Sequence, residues 1–327
     1  MIVKYRNIYF FGILFFYLFI CFFGVGVFSA TAGLDANSIA SLEVDDINLG
    51  ASYAVMSYIY QLIPQGLIFY FTILLGVVFI FGVFNNAYKV NNLIIISLLL
   101  SIPCILVISS FQKDLILVLF TVPCAYIISS NRGNLFKLLS IFAIYLIYAT
   151  VFRNYYYLIM LIFFCFYFFK LASWNIRLLI LLGMICLLII LPNNIYYMLQ
   201  SSRDIVNQHR IGMDVIGNRT AFNNPLIPDS FFNFVYNYIY AILRLNFGFF
   251  FNYGLRDLIF MVYPLIYMYY VFNGLKEIIG KNFIAASLIA SHILVISLFE
   301  PDTGSYARHL SSTLPYLAII IASRFNK

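Results

Sequence analysis

Residues 8–28 read IYFFGILFFYLFICFFGVGVF, 21 positions without a charged side chain. Such a run has no polar face to offer water, and roughly 20 apolar residues carry a helix across a bilayer. Its flanks give a direction. Lys4 and Arg6 precede it, while Asp35, Glu43, Asp45 and Asp46 follow it. Cationic flanks stay on the cytoplasmic side, which places the start of the chain inside and the segment 30–65 outside as a first periplasmic loop. A signal-peptide core is shorter, about 7–15 residues, and Ala30-Thr31-Ala32 is only a faint match to a cleavage site. The run reads as a retained first helix.

The rest of the chain repeats the pattern. Of 327 residues 64% are hydrophobic and 9% charged, with a mean hydropathy of +0.96. Soluble domains run about 45–50% apolar and about 25% charged, so this chain has too few polar residues to cover a water-facing surface. Disorder, fibrous repeats, a secreted disulfide scaffold and a soluble Rossmann or barrel enzyme are excluded. Further uncharged stretches lie at 66–84, 93–110, 115–130, 138–152, 155–169, 178–191, 258–273, 283–299 and 310–323. The expectation is an all-α polytopic protein, with residues 1–327 one integral membrane domain of about ten transmembrane helices. The five cysteines lie inside apolar runs without a CxxC pair. They read as small core residues, implying no disulfide, metal or cofactor. The net charge of +7 reads as helix-orienting flanks rather than a nucleic-acid surface.

One segment needs a decision. Residues 192–257 form a large outer loop, inside which 231–251 is apolar but interrupted by Arg244. If 231–251 crossed once, Lys276, Lys281, Arg324 and Lys327 would all lie outside, against the orientation rule. The segment therefore dips in and returns, lies along the interface, or crosses twice in close succession. Both termini are then cytoplasmic. This arrangement puts 11 of the 19 basic residues inside, seven of them Lys. Seven of the eight outside are Arg, and all but one of the 12 acidic residues are outside too. Orientation works against Arg on the outer face, whereas phosphate recognition favours its planar fork. Chemistry is expected on that face.

The densest polar cluster is Glu300-Pro301-Asp302-Thr303-Gly304-Ser305-Tyr306-Ala307-Arg308-His309. A bare turn needs only its Pro, Asp and Gly; two carboxylates with an Arg-His pair exceed that need. The loop 192–230 adds Arg203, His209, Arg210 and Arg219, and Arg244 and Arg256 follow it. Lys113 and Arg153 sit in tight turns between apolar runs, where ionisable residues are functional candidates. Each of these also has a plainer reading as a solvated turn, loop or aromatic belt, and His292 reads as a packing residue. Candidate general bases are Glu300, Asp302, His309, His209, Asp45 and Asp46. His, with an unperturbed pKa of about 6.5, is suited to take a proton, with Asp302 as the orienting partner of His309 and Asp45 or Asp46 as the competing bases. No GxxxxGK[ST], HExxH or GxSxG is present, which argues against a nucleotide-driven pump, a zinc protease and an elbow-type hydrolase.

Ser109 to Asp114, Arg153-Asn154-Tyr155, and Asp302 to Ser305 through Arg308-His309-Leu310, set in about ten spans with a late Arg-rich outer loop, resemble the Wzy-type O-antigen and exopolysaccharide polymerases, including the EpsG-like branch. The resemblance covers the whole chain in layout and about twenty residues in motif. It implies a GT-C-like membrane fold in the bacterial inner membrane and metal-independent, inverting glycosyl transfer at the periplasmic face. Donor and acceptor would be undecaprenyl-diphosphate-linked glycans, with a chain-length regulator protein as a further partner and no nucleic acid. Arg153, Arg210, Arg219 and Arg308 would bind the diphosphate. Lys113, Arg203, His209, Arg244 and Arg256 would make other substrate contacts. The rival expectation is a lipid-linked oligosaccharide flippase, which usually shows internal repeats or paired broken helices; none is visible. A membrane acyltransferase would want His near the cytoplasmic face, where there is none.

Overall fold

A computed structural model describes residues 2–24, 32–42, 49–87, 89–211 and 220–324. Every regular element among the described residues is helical, as a chain that must satisfy its backbone without water requires. Five helices are long and apolar enough to cross a membrane: Tyr5–Gly24, Gln65–Phe84, Asn134–Val151, Leu255–Lys276 and Lys281–Phe299. Four shorter apolar helices are Val90–Leu106, Val118–Ser129, Tyr156–Leu171 and Leu314–Arg324, and Trp174–Ile190 meets Asn193–Ser201 at a 94° bend. The chain is a helical multi-pass membrane protein. The bend falls at Pro192, which disfavours helical geometry at Leu191 before it.

The helices are α1 (Ile2–Phe19, continued by a π-turn Ile20–Gly24), α2 (Ala32–Ser41), α3 (Ser52–Leu62), α4 (Gln65–Phe84), α5 (Val90–Leu106), α6 (Val118–Ser129), α7 (Asn134–Val151), α8 (Tyr156–Leu171), α9 (Trp174–Ile190), α10 (Asn193–Ile211), α11 (Phe231–Asn246), α12 (Leu255–Lys276), α13 (Lys281–Phe299), α14 (Thr303–Ser311) and α15 (Leu314–Arg324). Two compact units result. The first comprises Met1–Met160, Tyr270–Ile289 and Ser311–Lys327; the second comprises Leu161–Tyr269 and Ala290–Leu310.

Small residues let the first unit pack. α1 lies against α4 and α5, and α4 against α6 and α15. Tyr17 of α1 is wholly buried and donates to Thr72 O of α4 at 3.1 Å and to Ile108 O at 3.0 Å. It fits because Gly76 has no side chain: a Cβ there would overlap Tyr17 Oη. Gly82 does the same for Val122 of α6, at 2.7 Å. In lipid, where apolar burial does not drive helix association, such close approach is the main source of packing energy. The opposite face of α1 exposes Ile8, Phe11, Phe15, Phe19 and Phe22. These follow helical spacing and suit a hydrocarbon solvent. Every residue from Leu314 to Ala322 in α15 is buried.

In the second unit α10 packs on α11. Phe234, Asn237, Ala241 and Leu245 of α11 are buried on one face, and Ser230 caps its start by accepting from Asn233 N–H. A short 3-10 turn, Gly248–Phe250, follows it. No residue of α9 is buried. The segments expected as loops therefore hold helices, α2 and α3 within 30–65 and α10 within 192–230, while the apolar stretch 231–251 holds α11.

Candidate functional site

The site in the second unit is built where α13 stops. Pro301 has no N–H to continue a helix, so the last bond runs from Glu300 N–H to Ile296 O at 2.8 Å. Asp302 then opens α14. Its Oδ1 accepts from Ser305 N–H at 2.9 Å and its carbonyl from Tyr306 N–H at 3.0 Å, the geometry of an N-cap. Helical spacing brings Ser305, Arg308 and His309 to one face.

Glu300 is the hub. His309 Nε2 lies 3.0 Å from its Oε1, and Ser305 Oγ donates to its Oε2. Arg308 Nη2 donates to Ser305 Oγ at 3.4 Å. Glu300, Asp302, Ser305 and His309 are buried, whereas Arg308 is half-buried. The carboxylate holding His309 is thus Glu300, while Asp302 holds the helix start. Tyr306 OH donates to Asn246 Oδ1 at 2.9 Å, and Asn246 Nδ2 to Ile242 O at 2.8 Å, tying α14 to the end of α11. A Cβ on Gly248 would meet Thr303 Cγ2 at 2.9 Å, and one on Gly304 would lie 3.6 Å from Arg256 Nη2. Arg256 is exposed, with its guanidinium 5.3 Å from the Phe260 ring centre.

Elsewhere in this unit Arg203 has no exposed surface. Its Nη2 donates to Asn224 Oδ1, its Nε lies 3.7 Å from Asp204 Oδ1, and its guanidinium lies 5.3 Å from the Phe222 ring. Asn224 Nδ2 donates to both Asp204 oxygens, at 2.7 and 2.8 Å. Burial pushes the Asp204 carboxyl up from the usual aspartate range, although Arg203 and Asn224 pull against it. Arg244 is half-buried and stacks on Phe251 at 4.6 Å and Phe222 at 5.6 Å. His209 and Arg210 belong to α10, but their side chains, and all of Arg219, Asp45 and Asp46, lie outside the described residues.

Arg153 and Lys113 belong to the first unit. Arg153 Nη2 lies 2.9 Å from Asp114 Oδ1 and its Nη1 donates to Tyr155 OH at 2.7 Å. Both charges are buried. Lys113 Nζ donates to Tyr53 OH at 2.9 Å. Close by, Gly50 adopts a left-handed φ of 85°, its N–H reaches Val151 O at 3.0 Å, and a Cβ there would strike Asn154 Oδ1 at 2.8 Å.

Of the expected residues, the fold gathers Glu300, Asp302, Arg308 and His309, with Arg256 beside the first turn of α14. Ser305 received no role from sequence, although its spacing to Arg308 and His309 carried the signal. Gln200, Asn224 and Asn237 were missed, and nothing local marks them. Glu300 sits between Ser305 and His309, so this is not a Ser-His-acid nucleophilic relay, in which the His lies in the middle. It is a buried imidazole oriented by a carboxylate, next to a guanidinium. Among the described residues no three His, Cys, Asp or Glu side chains come together to hold a metal ion. No family model, curated protein or solved structure matches the chain.

Proposed function

We propose that this protein polymerises undecaprenyl-diphosphate-linked oligosaccharide repeat units, of O-antigen or exopolysaccharide, by inverting glycosyl transfer at the outer face of the bacterial inner membrane. The observation that carries the reading is the Glu300–His309 pair with Arg308 on the same helix face. Support also comes from the charge pattern, with Arg collected on the face where orientation disfavours it.

In this reading ten apolar helices cross, both termini are cytoplasmic, and the fold is GT-C-like with α11 lying along the interface. Helix α11 is one 16-residue element rather than two limbs, which favours the interfacial form over a dip and return. Glu300 holds the His309 imidazole in place. The acceptor hydroxyl attacks the anomeric carbon of the donor sugar and passes its proton to that imidazole. The bond from the anomeric carbon to the diphosphate oxygen breaks on the opposite side, and the lipid diphosphate departs. Arg308 stabilises the charge it develops, with Arg256, Arg210 and Arg219 as further cationic contacts. Arg153 is the least supported of the diphosphate residues, since Asp114 and Tyr155 already engage its guanidinium. A membrane-anchored chain-length regulator is a further partner in this reading.

The test is the surface polysaccharide of a gene-deletion strain. A single repeat unit on the lipid core is the expected result. Loss of every repeat unit would replace the proposal with a flippase.

A further inference from the structure

Beside the Arg203 network the second unit holds a cavity of about 510 Å³, within the range of about 300–1,000 Å³ typical of small-ligand sites. It lies between α10 and the segment 223–228. Polar groups come from Ser201, Asp204, Gln208, Asn223 and Asn224, apolar surface from Ile205, Leu226 and Ile227, and an exposed ring from Tyr197. Among the described residues no Lys or Arg lines it. The wall is held rigidly from behind. Gln200 Oε1 accepts from Asn224 and Asn237 at 3.2 and 3.1 Å. Asn237 then exchanges two bonds with the backbone of Leu226, at 3.1 and 2.7 Å. Buried side chains thus fix Asn224 and Leu226, while the side chains of Tyr197, Gln208 and Asn223 make no hydrogen bond to another described residue.

We infer that this cavity binds an uncharged sugar ring. Three features select that ligand. Amide, hydroxyl and carboxylate groups in one wall match a ring carrying several hydroxyls, each both donor and acceptor. Apolar and aromatic surface suits the C–H faces of the same ring. The Asp204 carboxylate in the lining disfavours phosphate and uronate groups, and among the described residues no Arg or Lys lines the cavity to hold them. Preorganisation by the Gln200–Asn224–Asn237 network spares the ordering that a loose loop would need on binding. The inference rests on the polymerase reading only for the source of the sugar, the repeat unit of a lipid-linked glycan or of the growing chain.

Saturation-transfer NMR on the full chain in detergent tests this. The probes are methyl glycosides of neutral hexoses, 6-deoxyhexoses and N-acetylhexosamines, with glucuronic acid as the charged comparison. At least one neutral glycoside should show transfer, and glucuronic acid none. Asn223→Ala and Tyr197→Ala, both at exposed positions, should weaken binding about tenfold or more, the size of one or two lost hydrogen bonds. Ser201→Trp should fill the cavity and abolish it. No transfer from any neutral probe, or transfer unchanged in Ser201→Trp, overturns the inference. Comparing a free repeat-unit oligosaccharide with its lipid-linked form separates recognition of sugar alone from recognition that needs the lipid. Binding that obeys these rules in a protein whose deletion leaves polymer length normal would sink the polymerase reading and leave the sugar site standing.

Discussion

Asp114 is a buried carboxylate whose Oδ1 lies 2.9 Å from Arg153 Nη2. Removing one partner of such a pair leaves an uncompensated charge and costs about 3–5 kcal/mol. Arg153→Ala is therefore expected to deplete folded protein from the membrane and lower its melting temperature in detergent, with Asp114→Asn in the same background restoring part of the loss. An Arg153→Ala protein that melts normally yet extends no chains would show instead that the guanidinium works on substrate. Sequence spacing alone could not separate these roles, because residues 114 and 153 lie 39 positions apart and only the fold brings them together. Around His309 the legible part was different. Ser305, Arg308 and His309 share a face by helical spacing, but the choice of Glu300 over Asp302 depends on how the chain turns at Pro301. That turn hands Asp302 to the first turn of α14 and aims Glu300 at the imidazole.

Helix α4 shows what lipid asks of an element. Its two contact glycines admit Tyr17 and Val122, and neither is required by backbone conformation. Gly76→Ala drives a Cβ into the Tyr17 hydroxyl, and overpacking of this kind costs about 1–3 kcal/mol. Thermal melting of the detergent-solubilised protein should show that loss, and should show it reduced in a Tyr17→Ala background, where the two changes are coupled. Equal losses in both backgrounds would place the strain elsewhere. Among the described residues each of the ten uncharged stretches is largely helical, because an unbroken apolar run is a signal that needs no tertiary information. Helices α2, α3, α10 and α14 were read as loop for the converse reason. Their sequences mix polar and apolar residues, and α10 carries Arg203, Asp204 and Arg210. Only caps and the 3.6-residue period mark such helices.

Across the whole molecule, the chemistry open to each polar segment is set by the membrane face it occupies. Reporter fusions after residues 45, 215 and 304 should report periplasm, and fusions after 89, 172, 279 and 327 cytoplasm. A cytoplasmic signal at 304 would remove the Glu300–His309 pair from the face where lipid-linked glycans are polymerised and would require α11 to cross once. The most direct measurement is chain extension by the purified full chain in lipid vesicles supplied with undecaprenyl-diphosphate-linked repeat units. The wild type should build a ladder of products. His309→Ala should lose about 10²–10⁴-fold in turnover, and Arg308→Lys, which keeps the charge but not the fork, should recover little of what Arg308→Ala loses. Normal ladders from His309→Ala, or no ladder from the wild type, would contradict the account.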